Sequence, residues 1–401
     1  MQTERANIEI SIDWNSRDAC HRERRYFSRI NFWRDFFPAD FEQRLKQQPE
    51  NTWISATIDA AELLPPRSDK LVYTVPISDR YFTYGKRHKV QPRIGRFYPR
   101  KFIAGFGDVY ADDMRPMRLL SMDASNWVLD LNHPLAHVGE LTVAMRVDQW
   151  LEGAAEHGGR CNDPAVETLE GGPGFQAEMT RGHTDFFDAT AFERIDEDDD
   201  AMFYRKPRLI NHIDNLASAH VGELYARRLS TDMHVLDLMS SCESHLPPSL
   251  AGMQLTGLGL NIEEMQANPA LDRRVLHDLN LEPALPFADA KFDAVICTVS
   301  VEYLTRPFEV MRELARVVKP GGAVMFAFSD RWFPPKAIRL WSEVHAFERM
   351  AVVLACFRDS GLFTDYYTET LHGWPRPEDD KYAAELADSD PVFFVSATSG
   401  R

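Results

Sequence analysis

The stretch His234-Val-Leu-Asp-Leu-Met-Ser-Ser-Cys-Glu-Ser-His245 constrains this chain more than any other. An apolar strand, Val235-Leu236-Asp237-Leu238, runs directly into a turn of small polar residues. Pro247-Pro248 keeps that turn from continuing at once into a long helix. A second short strand, Leu255 to Asn261, follows, then a polar loop, His277-Asp278-Leu279-Asn280, and the pairs Pro286-Phe287 and Phe292-Asp293. The apolar run Ala294 to Val301 reads as the next strand of the sheet. Val310, Leu314 and Val317 mark one face of a helix that leads through Lys319-Pro-Gly-Gly322 into a strand from Ala323 to Ser329. Tyr366 to Leu371 and Val392 to Thr398 are rich in β-branched and aromatic residues and predict a closing pair of strands. Each signal is weak alone, and their order is what is specific.

In that order the segments resemble the class I (Rossmann-like) S-adenosylmethionine (AdoMet)-dependent methyltransferases, over about residues 205–401. The resemblance implies an α/β fold: a doubly wound, seven-stranded, mostly parallel sheet whose ligand lies at the carboxyl ends of the first strands. It implies AdoMet as cofactor and cofactor-binding roles for Asp237, Ser240, Ser241, Gly259, Asn261, Asp278, Leu279 and Ser300. Met239 to Glu243 stand where the family has a glycine-rich loop, and Gly259 stands where it has a carboxylate for the ribose hydroxyls. Asn261, two residues on, can donate and accept hydrogen bonds to a ribose. Asp278 matches an aspartate that accepts from the adenine amino group, while Tyr204 and Arg208 either cover the cofactor carboxylate or pack the entry to the first helix.

Composition narrows the remaining choices. At 401 residues the chain exceeds one ordinary core. We divide it into an amphipathic helical segment (1–50), a β-rich domain (51–150), a Gly-rich connector and helix entry (151–204) and the methyltransferase-like domain (205–401). A net charge of −16 argues against nucleic acid and against anionic membranes as partners. Cys20, Cys161, Cys242, Cys297 and Cys356 show no metal-ligand spacing, so free thiols in a cytoplasmic protein are expected, with no metal. Residues 1–7 carry no apolar export signal.

The N-terminal half gives weaker signals. Tyr26, Phe27, Ile30, Phe32, Trp33, Phe36 and Phe37 recur at spacings of three and four, predicting a helix whose aromatic face packs on the β domain or on a second subunit, as in a homo-oligomer. Residues 95–103 and 126–147 alternate around Asn132-His133-Pro134-Leu135-Ala136, a pattern that resembles the closing strands of FKBP-type, SlyD-like prolyl isomerases. Tyr84-Gly85 falls where a pocket Tyr-Gly of that family would lie. This domain is expected to be a scaffold or lid.

Methyl transfer asks little of a protein, because a sulfonium is already an activated leaving group and catalysis is mainly positioning and, where needed, proton removal. A thiol is partly ionised at neutral pH, so a small thiol or sulfide is the acceptor first expected, making this an S-methyltransferase acting on a small molecule, with a small hydroxyl or amine second and a protein side chain third. His345, His372 and Tyr303 are the candidate catalytic residues, with Trp341 placed on the face of a helix shared with His345. The alternative is a chaperone-like or scaffold protein with an isomerase-like domain and a degenerate methyltransferase domain.

Overall fold

Alternation organises the N-terminus: Ile8, Ile10, Ile12 and Trp14 are buried on one face of a long strand. In the computed structural model, which describes residues 4–84, 88–153 and 157–400, this strand, β1 (Arg5–Asn15), forms a hairpin with β2 (Ala19–Asn31). The helix expected from the aromatic spacing is therefore a strand. Its aromatic residues serve two faces and a terminal turn rather than one helical stripe. The chain continues through β3 (Ile54–Asp59), β4 (Val72–Pro76), the short β5 (Thr83–Tyr84) and β6 (His88–Lys89), β7 (Phe97–Pro99), β8 (Pro116–Met122), β9 (Asn126–Asp130) and β10 (Glu140–Leu151). The C-terminal half adds β11 (His234–Leu238), β12 (Gln254–Gly259), β13 (Arg273–Leu276), β14 (Phe292–Thr298), β15 (Val318–Phe328), β16 (Phe363–His372) and β17 (Val392–Ser399).

One sheet of eleven strands runs through both halves, in the order β13-β12-β11-β14-β15-β17-β16-β2-β1-β10-β3. Its first seven members come from the C-terminal half, with β13, β12, β11, β14 and β15 parallel to one another and β17 antiparallel to both β15 and β16. The expected seven-stranded sheet preceded by a separate domain is corrected by the next pairing. β16 pairs in parallel with β2, from Tyr366 beside Ala19 to His372 beside Arg25, so the N-terminal strands extend the same sheet.

A four-stranded sheet, β4-β9-β8-β7, has its own core around Phe82, Tyr98, Met117, Leu119 and Leu129. The Asn132-His133-Pro134 turn joins β9 of this small sheet to β10 of the large one. Its histidine is occupied locally, with Nδ1 accepting from Leu135 N–H and Nε2 against the Leu169 carbonyl. The expected pocket position Gly85 lies outside the described residues. The connector is packed rather than loose: it contains a helix, Pro164–Glu170, and Phe175 stacks on Phe97 of the small sheet.

Helices cover both faces of the C-terminal sheet. Val235 faces the side packed by the helix Asn215–Ala226, and Leu236 and Leu238 face the helices Pro307–Val317 and Ala346–Ser360. That alternation within one strand makes β11 apolar on both sides and leaves its carboxyl end as the place where polar residues emerge. Among the described residues no helix is long and apolar enough to cross a membrane.

Candidate active site

The turn after β11 keeps a glycine-like conformation without glycine. Met239 and His245 have φ of 58° and 53°, in the left-handed region. Asp237 holds the turn between them: one of its oxygens accepts from Ser240 Oγ and Ser244 Oγ, each at 2.6 Å. Asn268 completes the scaffold, donating to Ser244 Oγ at 2.9 Å and to the Ser241 carbonyl at 3.1 Å. Burial pushes the Asp237 carboxyl up to about 6, and the two hydroxyl donors act against that rise. The backbone of Ser240 is tied to β12 through its N–H, which donates to the Leu258 carbonyl at 2.8 Å.

That tie explains Gly259. A Cβ there would lie 2.3 Å from the Ser240 carbonyl oxygen, so no side chain fits while the turn rests on the strand. Asn261 does not replace the missing acid. It caps the helix Ile262–Ala267, accepting from Glu263 and Glu264 N–H, and its amide donates to the Tyr204 carbonyl at 2.9 Å.

A cavity of about 410 Å³ opens at the carboxyl ends of β11, β12 and β14. All eight sequence-predicted cofactor residues line it: Asp237, Ser240, Ser241, Gly259, Asn261, Asp278, Leu279 and Ser300. Asp278 Oδ1 accepts from Asn280 and Leu281 N–H, while its other oxygen has no partner among the described residues. Tyr204 and Arg208 also line the cavity. The Tyr204 hydroxyl is buried without a hydrogen-bond partner. The Arg208 guanidinium lies 4.6 Å and 4.8 Å from the rings of Phe203 and Phe333, donates to the Phe203 carbonyl, and has no carboxylate partner among the described residues.

The catalytic candidates separate. Tyr303 lines the cavity, and its oxygen accepts from Phe333 N–H at 2.9 Å; burial and the neighbouring Glu302 hold its hydroxyl well above the ordinary range. His345 lies outside the cavity. It caps the helix Ala346–Ser360, its Nδ1 accepting from Phe347 N–H while Glu348 accepts from His345 N–H, and burial lowers it to about 4. Trp341 belongs to the preceding short helix, Arg339–Glu343, and is core against Phe328, so the shared helical face is absent. His372 lies on β16, partly buried and lowered to about 3 by burial, also away from the cavity.

The sequence reading missed much of the wall. Asp200, His212, Glu264, Lys381 and Tyr382 all contribute. The acidic run 196–200, expected to be connector, wraps around the fully buried Lys336, whose Nζ reaches the Asp198 carbonyl at 2.6 Å and the Asp200 carboxylate at 3.2 Å. Asp200 is also gripped by Arg194 at 2.7 Å and by Asn280 at 2.9 Å. A charge run facing a lone lysine in an otherwise apolar segment was the available signal. Among the described residues no cluster of metal-ligating side chains occurs, and all five cysteines are free.

Comparison with known proteins bears on this same region. Residues 240–326 match the family described as "Methyltransferase domain". The chain is 32% identical over 97 residues to malonyl-[acyl-carrier protein] O-methyltransferase of Pseudescherichia vulneris, covering 23% of this chain and 38% of that one. It is 28% identical over 149 residues to the ubiquinone/menaquinone biosynthesis C-methyltransferase UbiE of Ralstonia pickettii, covering 36% and 60%. The chain thus spans less than two thirds of the length of these relatives, 38% of one and 60% of the other. Among solved structures, a SAM-dependent methyltransferase from Aquifex aeolicus superposes with a TM-score of 0.31 at 15% identity, covering 50% of this chain and 96% of that one. Residues 240–326 thus match a methyltransferase domain of the kind that uses AdoMet.

Proposed function

We propose that the whole protein is an AdoMet-dependent methyltransferase acting on a small molecule with an acidic S–H or O–H group. The observation that carries this reading is the pairing of an unpartnered buried Tyr204 hydroxyl with an Arg208 guanidinium that lacks a carboxylate, both in the cavity wall. A buried hydroxyl without a partner is costly, and a cation beside it makes the pair a receptor for a carboxylate. The methionine end of AdoMet has that group, and the free oxygen of Asp278 suits an amino donor. The residues therefore fit the cofactor. When bound, AdoMet supplies a methyl group on a sulfonium leaving group.

What the protein adds is position and a base. Phe333, Trp332 and Tyr382 give the cavity an aromatic side, and Arg331 and Lys381 add positive charge there. His212 stands against Phe333 with ring centroids 5.4 Å apart and makes no hydrogen bond among the described residues. Burial lowers its pKa, so the imidazole is neutral at pH 7 and able to accept the acceptor's proton. A small thiol or sulfide needs the least help from such a base and remains first among acceptors. A phenolic hydroxyl is next; it resembles the benzoquinol acceptor named for a Bos taurus relative.

The test is calorimetric titration with AdoMet and S-adenosylhomocysteine, alongside methyl transfer to thiols, sulfide, phenols and amines. Binding with turnover on S–H or O–H compounds, and loss of binding in Tyr204→Phe, is expected. Turnover on amines alone would overturn the acceptor class. A binding or scaffold role is the second reading, favoured by the way Ser240 closes over Gly259 and by the full occupation of Asn261. Absence of cofactor binding would select it.

A further inference from the structure

The cofactor's ribose presents two neighbouring hydroxyls, and when they leave water each needs an acceptor. The cavity wall supplies five carboxylates; Glu243 is exposed to water, and the partners of the other four decide among them. Asp237 is committed to bracing the turn, one oxygen accepting from both Ser240 and Ser244. Asp200 is saturated by Arg194, Lys336 and Asn280. Asp278 holds its own loop through Asn280 and Leu281 N–H and stands on the segment after β13. Gly259 offers no side chain and can carry none.

Glu264 remains. It stands on the helix Ile262–Ala267, is 7% exposed, and lines the cavity. Its Oε1 accepts from Arg208 N–H at 2.6 Å and its Oε2 accepts from Ser241 Oγ at 2.7 Å. No cation lies within ion-pair distance of it among the described residues, where other enclosed carboxylates such as Glu9 and Asp200 have arginine partners. Each oxygen of a carboxylate has two lone pairs, so one acceptor position per oxygen is left, the number a vicinal diol requires.

We propose that Glu264 holds the ribose diol of the cofactor, taking over from strand β12 a task its glycine end cannot perform. The inference rests on the AdoMet reading above. It also gives a reason for the two bonds already present. Ser241 and the Arg208 backbone orient the carboxylate from the turn and from the segment that carries Tyr204, so the ribose site assembles only when both are in place.

The test uses the full chain and two probes, S-adenosylhomocysteine and its 2′,3′-dideoxy analogue, titrated by calorimetry into the wild type and Glu264→Gln. The wild type should prefer the diol-bearing probe by about tenfold to a hundredfold, the scale of a lost hydrogen bond to a charged group. Glu264→Gln should lose most of that preference while its affinity for the dideoxy probe stays near the wild-type value. Equal weakening toward both probes would mean that Glu264 only braces the turn and the Tyr204 segment, and the proposal fails. It also fails, without any variant, if the wild type does not distinguish the probes. A wild type that binds neither probe removes the cofactor reading as well, so the two failures are separable.

Discussion

Lys336→Met isolates the contact that closes the cavity wall. Lys336 is fully buried and its ammonium is shared among the carbonyls of Asp196 and Asp198, at 3.3 Å and 2.6 Å, and the carboxylates of Asp196 and Asp200, at 3.3 Å and 3.2 Å. Removing one partner of a buried pair usually costs about 3 to 5 kcal/mol, because the other charge is left uncompensated. Asp200 is not left so, since Arg194 and Asn280 still hold it. The cost is then mainly two carbonyls without donors, at about 1 kcal/mol each, and a weakened carboxylate contact, or about 3 kcal/mol in all. The loss falls on residues 194–204, which Arg194 and Asn280 on Asp200 and Asn261 on the Tyr204 carbonyl continue to hold in part. A local loss of about 3 kcal/mol raises the open population roughly a hundredfold. Hydrogen exchange reads this directly at Met202, Phe203 and Tyr204, whose N–H groups donate to Asp199 and Asp200 carbonyls. Faster exchange confined to these amides is the expected result. Unchanged exchange there, or equal acceleration throughout the sheet, would refute the assignment of Lys336 as the clamp of this segment.

Three other perturbations follow from the same geometry. The Asp237 carboxyl is raised from 3.8 to about 6, so the folded chain holds that proton more tightly than the unfolded chain. Ionised Asp237 therefore opposes folding above pH 6, by roughly (6 − 3.8) × 1.36, or about 3 kcal/mol, and this penalty fades as pH falls toward 4. Urea unfolding should show the stability of Asp237→Asn gaining on the wild type between pH 4 and 7; a pH-independent difference would contradict the buried charge. His345→Ala should lose about 1 kcal/mol of stability with its cap and keep turnover, and His372→Ala should also keep turnover, whereas a loss of kcat with cofactor affinity intact would return either residue to the chemistry. Residues 185–401 alone should fail to give a cooperative thermal transition, because β16 would become an edge with Glu369 stripped of Arg24; a sharp melt with S-adenosylhomocysteine affinity retained would show that the C-terminal half folds independently.

The sequence revealed the C-terminal strands because burial on both faces leaves continuous apolar runs such as Val235 to Leu238 and Ala294 to Cys297, bounded by polar turns. The same runs located the cavity residues, since side chains at the carboxyl ends of parallel strands converge. It concealed the histidines' positions, because Trp341 and His345 are four apart but a helix ends and another begins between them, with His345 as the cap. It concealed β2 for a similar reason. Arg22, Arg24 and Glu23 break the apolar pattern of a strand whose charges are satisfied by partners 199 and 347 residues away or across the hairpin, and periodicity carries no information about such partners. Glu264 was hidden in plain composition, an acid in the first turn of a helix where an acid is ordinary.

The junction between halves also bears on how the site is held. Arg24 pairs with Glu9 at 2.6 Å within the hairpin and faces Glu369 of β16 at 3.6 Å, while Glu23 accepts from Trp14, Gln176 and Thr370. Burial pushes Glu23 up to about 7. Buried charges of this kind are weak contributors to net stability compared with an apolar seam, but a one-residue slip between β2 and β16 would turn every one of them to the wrong face. They therefore fix register. β16 carries that register through β17 to β15, at whose carboxyl end Ser329 begins the segment bearing Arg331, Phe333 and Lys336. On the far side of that segment, Phe97 N–H of the small sheet donates to Glu348 at 2.9 Å and Arg96 reaches the Glu343 carbonyl at 3.1 Å. This side of the cavity wall is thus set from two directions by residues of the N-terminal half, which makes that half part of the site's framework rather than a lid laid over it.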